Sequence, residues 1–289
     1  MTTSQVTDAS PAAFAAHVPD RGDQSEIARQ IIKNTKVDVV FGGGEDWWYP
    51  AGNEGSWPDR PGTDRPQISK GTKGTKGTKG NLVDLAKQEG YQCVSTAGEL
   101  NRVRQGPVLG LFANEEMFEH HNEGEGDVYD PSVPLKTMSS KALDIFSRDK
   151  DGFFLFIEEE GIDEMSHHGN AHKTVDAGAA LDDTVAMALR FAARTPGTLV
   201  LVVGDHETGG LAIENIDPAD ENPSGEQAED EIDIATSNLT LTVDWTTNQH
   251  TGAATPITSQ GPGADRLGKV LKNTDVHDAV LRAMALPRR

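Results

Sequence analysis

Residues 153–157 are five apolar side chains in succession, Phe153, Phe154, Leu155, Phe156 and Ile157, and they lead directly to Glu158, Asp163 and His167. An unbroken run of aromatic, aliphatic and β-branched residues with no alternation predicts a strand buried on both faces, as in a parallel sheet. That narrows the fold to classes in which helices cover the sheet. In such folds ligands gather at the carboxyl ends of the strands, which is where Glu158 stands. His167 lies four residues beyond Asp163, so a helical turn starting there puts both side chains on one face, able to share an ion.

A second segment repeats the pattern. Residues 198–203 are a threonine followed by five aliphatic residues, then Gly204, Asp205 and His206, so another strand delivers a carboxylate and an imidazole at its carboxyl end. His250, in a polar stretch far downstream that reads as a loop, is a further candidate to close the shell. Carboxylates and imidazoles drawn from separate segments suit zinc, and an oxygen-rich set with Glu158 suits magnesium. Either cluster alone reads equally as helix capping after a strand; the two together favour ligands.

Three strings carry a resemblance. GFFLFIEEEGIDEMSHHGN at 152–170, TLVLVVGDHETGG at 198–210 and HTGAATPITSQGPGA at 250–264 resemble, in order, three metal-site blocks of the alkaline phosphatase family. The resemblance implies two zinc ions, one held by Asp163, His167 and His250 and the other bound in part by Asp205 and His206, with one magnesium on Glu158. Residues 7–21 are similar to the family segment that supplies a hydroxyl to magnesium, a nearby carboxylate and a phosphate-binding arginine. These roles fall on Ser10, on Asp8 acting through water, and on Arg21. A guanidinium can grip two phosphate oxygens at once, which a lysine cannot do in the same geometry. Residues 39–44 extend the match.

The implied fold is an α/β sandwich with a mostly parallel central sheet and helices on both faces. It is expected as a single partial domain over 1–289, with loop insertions near 45–80 and 214–245 and the family's amino-terminal part missing. The implied activity is hydrolysis of phosphate monoesters. The family's nucleophilic serine and its bridging aspartate are not recognisable in this sequence, and Ser10 aligns with a magnesium ligand, not with the nucleophile. Two alternatives follow, a non-catalytic metal-binding fragment and a serine-independent metallophosphatase or phosphodiesterase. A homodimer is a further expectation.

Composition constrains the partners. The 289 residues carry a net charge of −20, which disfavours nucleic acid and anionic membranes and would repel a phosphate ester unless metal ions and an arginine supply local positive charge. No apolar run approaches a membrane span, and the first thirty residues do not read as an export signal. The family is usually periplasmic, secreted or surface-attached. Cys93 is the one cysteine, so it reads as a core thiol rather than half of a disulfide.

Along the rest of the chain helix and strand signals alternate. Helices are expected at 23–34, 81–89, 174–194 and 275–284, and strands at 37–41, 91–95 and 108–112. The helix at 174–194 would complete a βαβ crossover between the two ligand-bearing strands. Glycines 42–44 read as a tight turn. Residues 45–79, ending in a KGT repeat, and the acidic stretch between 214 and 234 read as solvated, mobile insertions. His120, His121, His168 and His172 read as surface residues.

Overall fold

The computed structural model describes residues 1–50, 52–58, 79–119, 129–214 and 232–285. The KGT repeat, most of the acidic stretch, and His120 and His121 lie outside the described residues. Contacts divide the chain into two compact units, the first made of Met1–Glu119 and Tyr129–Glu160, the second carrying Gly161 onward.

In the first unit polar caps set the helix starts. The Asp8 carboxylate accepts the Ala9 N–H at 2.8 Å and opens α1 (Ala9–Ala15). Next, α2 (Gln24–Gln30) runs into a π-helical turn, Ile31–Thr35, that Lys36 closes in the left-handed conformation. The isoleucines at helical spacing, Ile27, Ile31 and Ile32, are all buried. After β1 (Val39–Gly42), Asn81 caps α3 (Leu82–Gln88); β2 (Gln92–Val94) follows, and Thr96 caps α4 (Ala97–Arg102). The unit continues with β3 (Val108–Leu111) and α5 (Leu135–Phe146).

The three strands form one parallel sheet in the order β1, β3, β2, with Val108 opposite both Val39 and Gln92. Strands β1 and β3 are buried along their whole length, as continuous apolar runs in a parallel sheet require. Ile27, Ile31, Ile32, Val40, Trp48, Leu82, Ala86 and Leu109 make the core, and each large side chain removed from water contributes about 1.5–3 kcal/mol.

Two sequence expectations are corrected here. Residues 153–157 form no regular strand, and none of them is fully buried. Their neighbour is the chain's first segment: the Glu158 N–H donates to the Met1 carbonyl at 3.1 Å and the Thr3 N–H to the Glu158 carbonyl at 3.3 Å. Thr2 and Glu158 form an isolated parallel bridge, too short to count as a ladder. An apolar run specifies burial, whereas a strand also needs a partner at matched register over several residues. The second correction concerns 45–48. Far from opening a solvated loop, Glu45–Trp48 is a buried 3-10 turn with Trp48 wholly inside the core. The Glu45 carboxylate accepts the Ser56 and Trp57 N–H groups at 3.0 and 2.8 Å, tying 55–57 back to the turn.

The second unit begins with α6 (Gly161–His167) and α7 (Ala171–Arg194), the latter capped by Asn170. Strands β4 (Val200–Val203), β5 (Glu207–Thr208), β6 (Leu211–Glu214), β7 (Ile232–Asp233), β8 (Thr240–Trp245), β9 (His250–Thr251) and β10 (Ile257–Gln260) follow, and α8 (Asn273–Ala283) closes the chain. All pairings among these strands are antiparallel: β10 with β4, β5 with β9, and β8 between β6 and β7. The strand expected at 198–203 is therefore present, but it is half exposed and its described partner is β10. The βαβ crossover is not among the described pairings.

Candidate metal centre

The second unit brings four of the ligand candidates together around one carboxylate. Helix α6 starts at Gly161, so Asp163 falls in its first turn and His167 at its end, one above the other as the i, i+4 spacing requires. The His167 Nε2 lies 3.3 Å from Asp163 Oδ2, and His250 Nε2 lies 3.5 Å from Asp163 Oδ1. The two imidazole nitrogens face each other at 3.1 Å. His206 approaches the same carboxylate with Nδ1, 3.8 Å from Asp163 Oδ1, and its ring stacks on that of His250 with centroids 3.6 Å apart.

The protonation pattern of His167 follows from its other nitrogen. Nδ1 sits 2.9 Å from the Asn248 carbonyl oxygen, which can only accept, so Nδ1 carries a proton, and in the neutral ring this leaves the lone pair on Nε2, toward the centre of the cluster. A second hydrogen bond that fixes the tautomer in this way is what a metal-ligating imidazole needs.

The donor set fits zinc. Ligand atoms from Asp163, His167 and His250 all lie within 4.8 Å of one another. Tetrahedral bonds of about 2.0–2.1 Å would put neighbouring ligand atoms about 3.3 Å apart, close to the separations found here. Two facing imidazole nitrogens at hydrogen-bond distance need either a shared proton or a shared cation between them.

Two placements, that of His250 and that of His168 with His172, differ from the sequence reading. His250 stands on a strand, not in a loop: β9 pairs with β5 so that His250 is opposite Thr208 and Thr251 opposite Glu207. Asp205 is two-thirds exposed, and its Oδ2 lies 3.2 Å from His206 Nε2. His168 and His172 are half buried rather than exposed. Thr208, which no motif rule singled out, donates its hydroxyl to Asp163 Oδ1 and lies 3.3 Å from His206 Nδ1. Its place two residues after His206 on a short strand was the available signal.

The turn after β5 depends on two glycines. Gly209 and Gly210 have φ of +85° and +64°, and a Cβ on Gly209 would come within 2.4 Å of the Trp245 ring. Side chains rarely adopt that conformation, so the turn delivering His206 and Thr208 next to β9 is tied to glycine.

The remaining candidates belong to the first unit. Glu158 Oε2 accepts the Thr2 hydroxyl at 2.5 Å, a contact the sequence reading did not foresee. Its neighbour Glu159 is buried and accepts the Thr3 hydroxyl at 2.6 Å as well as that of Tyr129. Burial, reinforced by the Glu159 charge, pushes the Tyr129 phenol far above its usual range. Ser10 sits in the first turn of α1. Asp8, besides capping that helix, pairs with Arg21 at 2.6 Å, and the Arg21 side chain is 72% exposed.

Comparison with known proteins gives a consistent result. The family model described as Alkaline phosphatase matches residues 1–230. Alkaline phosphatase of Escherichia coli (strain K12) is 28% identical over 327 residues, a match covering 99% of this chain and 64% of that protein. Streptomycin-6-phosphate phosphatase of Streptomyces griseus is 30% identical, with 99% of this chain and 68% of that protein covered. The chain thus spans about two thirds of the length of these relatives. Among solved structures, alkaline phosphatase from the Antarctic bacterium TAB5 superposes with a TM-score of 0.71 at 24% identity, covering 99% of this chain and 72% of that one. A variant of that enzyme is solved with magnesium bound.

Proposed function

The chain belongs to the alkaline phosphatase family, and from that premise we propose that it binds two zinc ions and one magnesium ion and serves the hydrolysis of phosphate monoesters. The observation that carries this reading is the convergence of His167, His250 and His206 on the Asp163 carboxylate. Asp163, His167 and His250 would hold one zinc, and Asp205 with His206 would contribute to the second. Glu158 and Ser10, with Asp8 through water, would hold magnesium. Such ions polarise a phosphoryl oxygen and offset the charge that develops during in-line displacement.

The chain's own residues have defined tasks in this scheme. The Asn248 carbonyl accepts the Nδ1–H of His167 and so orients the ring with Nε2 toward the cluster. Thr208 orients Asp163. Arg21, paired with Asp8 and with its side chain largely exposed, would supply guanidinium N–H groups to phosphate oxygens, which a chain of net charge −20 needs if it is to attract an anion. The proposal keeps residues 1–289 as one partial domain, since the family model reaches into the second unit and the relatives align with 99% of the chain. A homodimer is included and is tested by light scattering. Among the described residues no helix is long and apolar enough to cross a membrane.

The test is a paired measurement on the whole chain: zinc uptake by chelator competition, and turnover of an aryl phosphate with zinc and magnesium supplied. Zinc uptake with turnover abolished by Asp205→Ala supports a phosphatase that works without the family serine. Zinc and phosphate binding without turnover supports the metal-binding fragment. No zinc uptake at neutral pH overturns the proposal.

A further inference from the structure

The segment 248–251 reaches all three imidazoles of the cluster. Asn248 accepts from His167, His250 contributes its own ring, and that ring stacks on His206. Yet the ladder that holds this segment is short, because β5 and β9 are two residues each, and the glycine turn at 209–210 separates it from the four-residue β6–β8 ladder formed by the same two segments. Something beyond the ladder must fix its register.

Glu207 is placed to do so. One carboxylate oxygen accepts the Gly210 N–H at 2.8 Å, and the other accepts the Thr251 hydroxyl. The side chain therefore ties the turn after β5 to the strand opposite, and each end of the tie is next to a ligand candidate: Glu207 follows His206, and Thr251 follows His250. Charge-assisted hydrogen bonds are about twice as strong as neutral ones. Other ties across the turn are neutral: Gly209 donates to the Gln249 carbonyl at 3.0 Å, the Thr247 N–H to the Gly209 carbonyl at 3.1 Å, and the Thr246 hydroxyl reaches the Gly209 and Gly210 carbonyls at 3.2 and 3.4 Å.

We propose that Glu207 is a positioning residue, whose carboxylate clasps Gly210 to Thr251 and so keeps the His206 and His250 imidazoles in the arrangement that takes up zinc. Glu207 touches neither of those rings in this role; it acts through the backbone of β5 and β9. The inference rests on the reading of this cluster as a metal centre.

The experiment uses the full chain and four proteins: parent, Glu207→Ala, Glu207→Gln and, as a gentler cut at the other end, Thr251→Val. Imidazole NMR of His206 and His250 and amide exchange across 249–252 are recorded metal-free, and zinc affinity is then measured by chelator competition. Loss of a partner bonded directly to a metal ligand costs about 10–100-fold in affinity; acting one step further out, the clasp is expected to be worth the lower end, about tenfold. Glu207→Ala and Thr251→Val are expected to show faster exchange, shifted His250 resonances and zinc binding weakened by that factor, with Glu207→Gln restoring most of it. Parent-like spectra and exchange in metal-free Thr251→Val and Glu207→Ala would sink the clasp, as would quickened exchange with unchanged zinc affinity. A parent chain that takes up no zinc would instead sink the metal reading, and the metal-free spectra would still decide whether the clasp exists.

Discussion

His206 and His250 lie ring on ring, with centroids 3.6 Å apart and planes inclined by 23°, although 44 residues separate them in the chain. Both also approach the same oxygen of Asp163, at 3.8 and 3.5 Å. The carboxylate is the common point of three imidazoles, so the consequences of removing it differ from those of removing any one ring.

Asp163→Ala is expected to weaken zinc binding more than His250→Ala does. Each should lose more than about 100-fold, because loss of outer partners alone costs about 10–100-fold. The melting temperature of the metal-free chain should hardly move, since these side chains are partly exposed. Chelator competition paired with metal-free thermal melts checks both statements.

Arg21→Ala is expected to weaken the binding of inorganic phosphate to the metal-loaded chain by about tenfold or more, the loss of one hydrogen bond to a charged group being about 1.5–3 kcal/mol. Stability should change by no more than about 1 kcal/mol, because the Asp8–Arg21 pair is largely exposed. Calorimetric titration of phosphate into parent and variant gives the answer.

The Glu26 carboxyl is held down to about 2, first by its two hydrogen bonds from Arg29, at 2.9 and 2.6 Å. Its folded pKa is therefore below its unfolded value, so the stability it contributes is present above 4.5 and is lost as the pH falls from 4.5 towards about 2. Glu26→Gln should be less stable than the parent at neutral pH, and the gap should close over that acid window. Denaturant melts as a function of pH measure the gap.

Two glycines should respond in opposite directions to alanine. A Cβ on Gly43 would lie 1.9 Å from the Glu115 carbonyl oxygen, and relief would require breaking the Gly43–Ser4 and Gly44–Glu115 backbone bonds, each 2.7 Å. Gly43→Ala should destabilise by about 1–3 kcal/mol or more. Gly178 lies inside α7 with nothing within 4 Å of its would-be Cβ, so Gly178→Ala should stabilise by about 0.5–1 kcal/mol. Shifts of the denaturant midpoint in opposite directions would bear this out.

Much of the fold was determined by the sequence alone. Isoleucines at helical spacing, the helix that opens after Asn81, and the continuous apolar runs of β1 and β3 each express a local rule, and the parallel sheet follows from them. Asp163 and His167 were legible for the same reason, since a four-residue interval on a helix fixes which side chains share a face. Tertiary structure decided what depends on partners far along the chain. The run at 153–157 met the chain's first residues instead of a full strand, because pairing needs a matched neighbour that no local pattern encodes. Trp48 was drawn into the core from a stretch whose composition reads as loop, because burial of a large ring outweighs the polarity around it. Thr208 gained its bond to Asp163 only when β5 met α6, and Glu207 its bond to Thr251 only when β5 met β9, since hydroxyls and carboxylates take their meaning from whichever group a turn and a register place opposite them.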